Sequence, residues 1–425
     1  DQRNRVYEHL PEAQGNLTRV AQNLSTTWDP GGRMAELANE TLDLRQCNEI
    51  IVEATLRSSR RAEARQPVTA RGWSTLLAAA EAYRTMTTLS ERLHYQVAPA
   101  TIEISTAYEL TFKDDGNATD DSWVLEAESL NTDAASLRLG PAVGDDDISA
   151  SDLHDDVDPA MLASFGASTS DLFTALGALA QWDSFDEDRT VAVISEEEAL
   201  SWVYQAVENP DETERSRLRQ AFQLLTVSTD ILRSSSWHPW QTRTRRHRLL
   251  VQPLVRRNDG MILIPPQYLL TTLSVYNNQL KQGVLPWTGE IPEQVSKALD
   301  KRRARRNLAF ERTLQRHLHE LGFKTISRVK PGDHARLGVP KVTTEIDLVC
   351  GRSGDPNIWL VEAKDPVSVY GFAETARELR TFYRDSKTKG RIKPCYATQL
   401  SRKESDLKPY VEDIAKELGV ASPRD

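Results

Sequence analysis

Val342-Thr-Thr-Glu-Ile-Asp-Leu-Val-Cys350 and Ile358-Trp-Leu-Val-Glu-Ala-Lys364 are the two stretches on which the reading of this chain turns. Side chains alternate across a β-strand with a period of two. In the first stretch Glu345 and Asp347 therefore share one face, and Ile346 and Leu348 share the other. In the second, Glu362 and Lys364 share a face, with Trp359, Val361 and Ala363 opposite. The linker Gly351-Arg-Ser-Gly-Asp-Pro-Asn357 is made of turn formers. It predicts a hairpin that turns the carboxylates of Asp347 and Glu362 towards the ammonium of Lys364. Charges on otherwise apolar strands are costly to bury, and the cost is tolerated for pairing or for a metal. Ile358 and Leu360, ahead of Glu362, predict a central strand.

The flanking segments extend the pattern. A helix is expected over 307–321, closed by Leu321-Gly322, and a strand over Phe323–Val329. Strands are expected over 342–350 and 358–364, a helix over 371–386 and a last strand near 393–399. The result is a C-terminal α/β domain with a mixed central sheet flanked by helices.

These residue types suit phosphodiester hydrolysis. Mg2+ takes oxygen ligands, typically one or two carboxylates plus waters. Asp347 and Glu362 are the candidate ligands, with the Ala363 carbonyl as a further one; Mn2+ is the alternative ion. Lys364 would orient or help deprotonate the attacking water and offset transition-state charge.

Glu345-Ile-Asp347, a hairpin and Glu362-Ala-Lys364 together resemble the PD-(D/E)XK, or restriction-endonuclease-like, nuclease superfamily. The resemblance covers roughly residues 290–425. It departs in one respect: no Pro precedes Asp347, as in many members. It implies a divalent-metal nuclease, with Asp347, Glu362 and Lys364 catalytic. Members often carry an acid on the first core helix, and here the candidate is Glu311. It lies at the edge of the apolar stripe Phe310, Leu314, Leu318 and Leu321. Glu345 and Gln399 are accessory candidates; Gln399 is similar to a Gln found downstream in related nucleases. Arg377, Arg380 and Arg384 recur on the following helix, and Lys387, Lys389 and Arg391 form a basic loop behind it. Such residues suit phosphate contacts, which position nucleic acid without reading sequence.

The charge distribution agrees. The chain of 425 residues has net charge −9. Residues 1–240 carry 19 Lys+Arg against 41 Asp+Glu, net −22, and residues 241–425 carry 34 against 21, net +13. A local basic field can attract a polyanion despite the overall negative sign. The expected partner is DNA, with RNA open as an alternative substrate. Three isolated cysteines, Cys47, Cys350 and Cys395, offer no zinc ribbon and fit a reducing compartment. No membrane span or leader is visible, so a cytoplasmic protein is expected.

Residues 1–240 read as an acidic, mostly helical recognition or regulatory region, with a loop-like acidic linker near 140–158 and no catalytic motif. Helices are expected at 33–57, 72–94, 160–182 and 211–233, a strand through Ile102–Phe112, and a capping box at Ser195-Glu-Glu-Glu198. Residues 241–289 read as a basic hairpin-helix connector, with strands flanking Asn258-Asp259-Gly260 and Pro253 marking an edge. A homodimer or partner-subunit contact through the helical region is a further expectation. The functional expectation is a DNA endonuclease of a prokaryotic defence or restriction system. The alternatives are a DNA-repair nuclease, or a nucleic-acid- or partner-binding scaffold on a silent nuclease fold.

Overall fold

The computed structural model describes residues 46–57, 69–95, 100–104, 106, 110–114, 156–181, 192–235, 237–241, 245–287, 290–364, 372–388 and 391–420. Most of the expected acidic linker at 140–158, residues 33–45 of the first expected helix, and Lys389 lie outside them. The chain divides into two compact units, with the main boundary between Lys301 and Arg302. The described part is helix-rich with several small sheets, a mixed α/β architecture.

In the first unit, a helical stretch over 46–57 is followed by α1 (Ala70–Tyr95) and a hairpin of β1 (Ala100–Ile104) and β2 (Leu110–Asp114). Helices α2 (Asp158–Phe165) and α3 (Thr169–Ala180) come next, and then β3 (Ala192–Ser195), α4 (Glu196–Gln205), α5 (Glu212–Leu224), β4 (Thr226–Ser228) and α6 (Thr229–Ser234). Strands β5 (Leu254–Arg256) and β6 (Met261–Ile264) and helix α7 (Pro266–Lys281) complete it.

Local chemistry explains several boundaries. Ser195 caps α4 by accepting from the Glu198 amide, which is one half of the expected capping box, and the helix opens at Glu196. Ser168 with Asp171, and Asp211 with Glu214, form full capping boxes on α3 and α5. The region expected to be mostly helical also holds a four-stranded sheet, ordered β3-β6-β5-β4, in which β4 and β5 run parallel. Pro253 does not mark an edge. It lies immediately before β5, so an interior strand begins without losing a ladder donor.

The second unit begins within a single long helix, α8 (Glu293–Glu320), which starts well before the expected position 307. It ends as predicted: Gly322 takes φ +83°, which an L-residue with a Cβ resists. Strands β7 (Phe323–Val329), β8 (Ile346–Arg352) and β9 (Ile358–Val361) form an antiparallel sheet with β8 in the middle. Among the described strands this sheet is antiparallel throughout, where a mixed one was expected; a sheet of mixed direction lies in the first unit. Nor is β9 central among the described strands: it pairs only with β8, and Trp359 on it is 53% exposed.

After β9 come α9 (Phe372–Tyr383), a small hairpin of β10 (Ser386–Thr388) and β11 (Arg391–Lys393), α10 (Tyr396–Leu407) and α11 (Val411–Leu418). The strand expected near 393–399 is therefore mostly helix. Cys395 acts as the N-cap of α10, and its own amide is held by Asp385 at 2.8 Å. Helices lie on both faces of the sheet. Gln315 and His319 of α8 bond to Thr325 and Ser327 of β7. Leu407, Ile414 and Leu418 of α10 and α11 share a buried cluster with Val349 of β8.

Candidate active site

The β8–β9 register pairs Leu348 with Val361. Advancing it by one residue sets Asp347 across from Glu362, where β9 has just ended. Both carboxylates then project from the same side of the sheet. The facing pair predicted from alternation is thus produced by the register. Lys364 joins them: its ammonium lies 3.0 Å from Asp347 Oδ2 and 2.8 Å from Glu362 Oε1. The Ala363 amide donates to Asp347 Oδ2 at 3.0 Å, which fixes that carboxylate from the backbone side.

A second lysine completes the group. Lys403, on α10, places its ammonium on Glu362 Oε2, so both oxygens of Glu362 meet an ammonium. Burial alone would raise the Glu362 carboxyl. The hydrogen bonds and charges of Lys364 and Lys403 outweigh it and hold the carboxyl below its ordinary range. Burial likewise works against the charge of Lys364, but Glu362 and Asp347 raise its pKa overall.

Glu311 reaches the group from α8. Its carboxyl is pushed up, first by burial and then by the negative charge of Asp347, with Glu345 adding to it; Arg328 and Lys364 oppose. Glu345 itself is exposed and precedes β8, so its contribution is a field rather than a contact.

Arg328 was not anticipated. It interrupts the β7–β8 ladder between the pairs Ser327–Leu348 and Val329–Ile346, which places it opposite Asp347. Its φ of +53° is a left-handed conformation that a non-glycine residue adopts at a cost. Its guanidinium Nε lies 3.6 Å from Glu311 Oε2. Arg328, Asp347 and Glu362 thus fall in one row across the three strands. Tyr396, at the start of α10, lies under Lys364 with the ammonium 5.1 Å from its ring centroid.

Other candidates lie further out. Gln399 is helical, and its amide donates to the Pro394 carbonyl at 2.8 Å. Arg377, Arg380 and Arg384 are exposed on and just after α9, with Tyr383 beside them. Lys387 and Arg391 belong to the β10–β11 hairpin that follows.

Among the described residues no three His, Cys, Asp or Glu side chains gather as a preformed metal cage. Mg2+ rarely uses such a cage: one or two carboxylates, waters and substrate oxygens are its usual ligands. Asp347 and Glu362 facing one another across the register, with the partly buried Glu311 close enough to feel Asp347, are a donor set that fits a hard divalent cation. Sequence reasoning missed Lys403 because the expected strand near 393–399 covers the first turn of α10, so the helix that carries Lys403 was not expected. On a helix, Tyr396, Gln399 and Lys403 recur at i, i+3 and i+7, and that spacing was the available signal. Among the described residues no helix is long and apolar enough to cross a membrane. The chain matches no protein-family model, no curated protein and no solved structure.

Proposed function

We propose that the C-terminal unit is a nuclease of the PD-(D/E)XK type that hydrolyses phosphodiester bonds in DNA as an endonuclease, in a prokaryotic defence or restriction setting. The observation that carries this reading is the convergence of Asp347, Glu362 and Lys364 at the end of one antiparallel strand pair. Asp347 and Glu362 would hold Mg2+ or Mn2+, with the Ala363 carbonyl as a further ligand. Bound there, the ion supplies a Lewis acid for the scissile phosphate and lowers the pKa of a water.

The rest of the chemistry falls to the chain's own residues. Lys364 Nζ, partly buried between the two carboxylates, would orient the attacking water and offset charge on the pentavalent transition state. Glu311, raised by burial and by Asp347, is placed to accept a proton close to the reacting atoms. Arg328 offers a guanidinium in the same row of the sheet for the phosphate. The exposed arginines of α9 suit the flanking backbone.

Plasmid and linear DNA supplied with Mg2+ or Mn2+ test the proposal. Cleavage by the wild type, lost in both Asp347→Ala and Lys364→Ala, supports it; nicking of closed circles separates endonuclease from exonuclease. A second reading is a nucleic-acid-binding scaffold on a silent nuclease fold. It is favoured by one observation: both oxygens of Glu362 are occupied by ammonium groups. A wild type that binds DNA but cuts neither DNA nor RNA moves that reading ahead.

A further inference from the structure

We infer that Lys403 stands in the place of a cation on Glu362, and so sets how tightly the site takes up a divalent metal. The inference rests on the proposed metal-dependent reading and adds a residue to it. Lys403 is 5% exposed, deep on the inner face of α10. Its ammonium meets Glu362 Oε2 while Lys364 meets Oε1.

Charge balance makes the point. Asp347 and Glu362 carry two negative charges, and Lys364 and Lys403 carry two positive ones. Glu311 and Arg328 add a second neutral pair. A donor set awaiting a divalent ion would ordinarily keep a surplus of negative charge, whereas these six contacting side chains sum to zero, with only the exposed Glu345 beyond them. Mg2+ approaches a carboxylate oxygen to about 2.0–2.1 Å and needs its lone pairs. With an ammonium on each oxygen of Glu362, a metal that uses the remaining lone pairs has to sit beside two positive charges.

Lys364 has a second carboxylate, Asp347, to which it can retreat. Lys403 is fully enclosed, so its charge stays beside Glu362 and opposes the metal directly. Metal uptake is then weak until a further anion, such as a backbone phosphate, enters the site and restores the balance. A lysine in this role suits a nuclease that is inert without substrate.

Titrating Mn2+ into the full chain by calorimetry tests this, with wild type, Lys403→Met, Lys403→Arg and the double variant Asp347→Ala/Lys403→Met. Removing one adjacent positive charge is expected to tighten Mn2+ about tenfold or more. Lys403→Arg keeps the charge and should stay near wild type, and the double variant should lose the gain. Equal or weaker binding by Lys403→Met, no binding by either protein, or equal tightening by Lys403→Arg overturns the inference. If Lys403→Met folds poorly, Mn2+ should restore its urea midpoint, because the ion replaces the lost ammonium. Lys403→Gln offers a second comparison, and failure of both variants to recover in Mn2+ also overturns it. DNA cleavage separates this inference from the nuclease reading. Tighter Mn2+ without cleavage in either protein removes the nuclease and leaves Lys403 in its role, while cleavage with unchanged Mn2+ affinity removes Lys403 alone.

Discussion

Removing the charge of Glu362 should cost far more than its short contact list suggests, because of where its partners lie. The side chains of Glu362 and Lys403 are 9% and 5% exposed, against 13% and 27% for Asp347 and Lys364. Breaking a buried ion pair from one side leaves an uncompensated charge and typically costs about 3–5 kcal/mol. Glu362→Gln strands Lys403 in that state, so a loss near the lower bound, about 3 kcal/mol, is expected. Lys403→Met leaves Glu362 with Lys364 at 2.8 Å, and should cost only about 1–2 kcal/mol. Removing both charges together should cost little more than Lys403→Met alone, which gives a coupling energy of about 2–3 kcal/mol. The parallel cycle on Asp347 and Lys364, whose ammonium is partly in water, should couple by about 1 kcal/mol. Hydrogen exchange of the β8 and β9 amides in urea and EDTA reads the second unit by itself. A coupling for Glu362 and Lys403 below about 0.5 kcal/mol, or smaller than that of the second pair, would refute the argument that burial makes this contact dominant.

Other consequences concern pH, backbone and surface. The Glu362 carboxyl is held below its ordinary value of 4.5 in the fold, so its stabilisation is complete above that value and is lost as pH falls through the folded-state value. Protection of β8 amides should therefore decline in acid, and Glu362→Gln should flatten that decline. Glu311 has the opposite sign: its carboxyl is raised by burial and by Asp347, so its ionisation opposes folding at neutral pH. Glu311→Gln should raise the thermal midpoint at pH 7 while slowing cleavage, and a lower midpoint contradicts this. Gly338→Ala meets both a left-handed φ of +69° and Glu417 Cγ at 3.1 Å from the new Cβ. It should destabilise the second unit by about 1–2 kcal/mol by urea titration, and an unchanged midpoint counts against the strain argument. Replacing Arg377, Arg380 and Arg384 singly with Ala should each reduce the salt slope of DNA affinity by about 1, with little change in sequence preference. Slopes equal to wild type would place the DNA elsewhere.

Much of the site was legible from local pattern. Alternation put Asp347 and Glu362 on matching faces, and a turn-forming linker set them opposite one another in the observed register. Leu321-Gly322 marked the end of α8, and Asn258-Asp259-Gly260 marked the β5–β6 turn, where Gly260 takes φ +81°. These features follow from one residue and its near neighbours, whose backbone preferences act whatever the rest of the chain does.

The remainder depended on contacts that no local rule contains. Lys403 is 41 residues from Glu362, on a segment whose first turn is fixed by a cysteine N-cap and by Asp385, ten residues back. A short, weakly patterned run such as 393–399 has little preference of its own, and the Cys395 cap, held by Asp385, starts a helix there. Arg328 takes a left-handed φ in a stretch that reads as ordinary strand. That β9 is an edge among the described strands is likewise a property of the assembled sheet. Period and turn chemistry decide which way a side chain faces. Which charge it meets there is decided by through-space packing, since electrostatic compensation depends on distance and burial and not on separation along the chain.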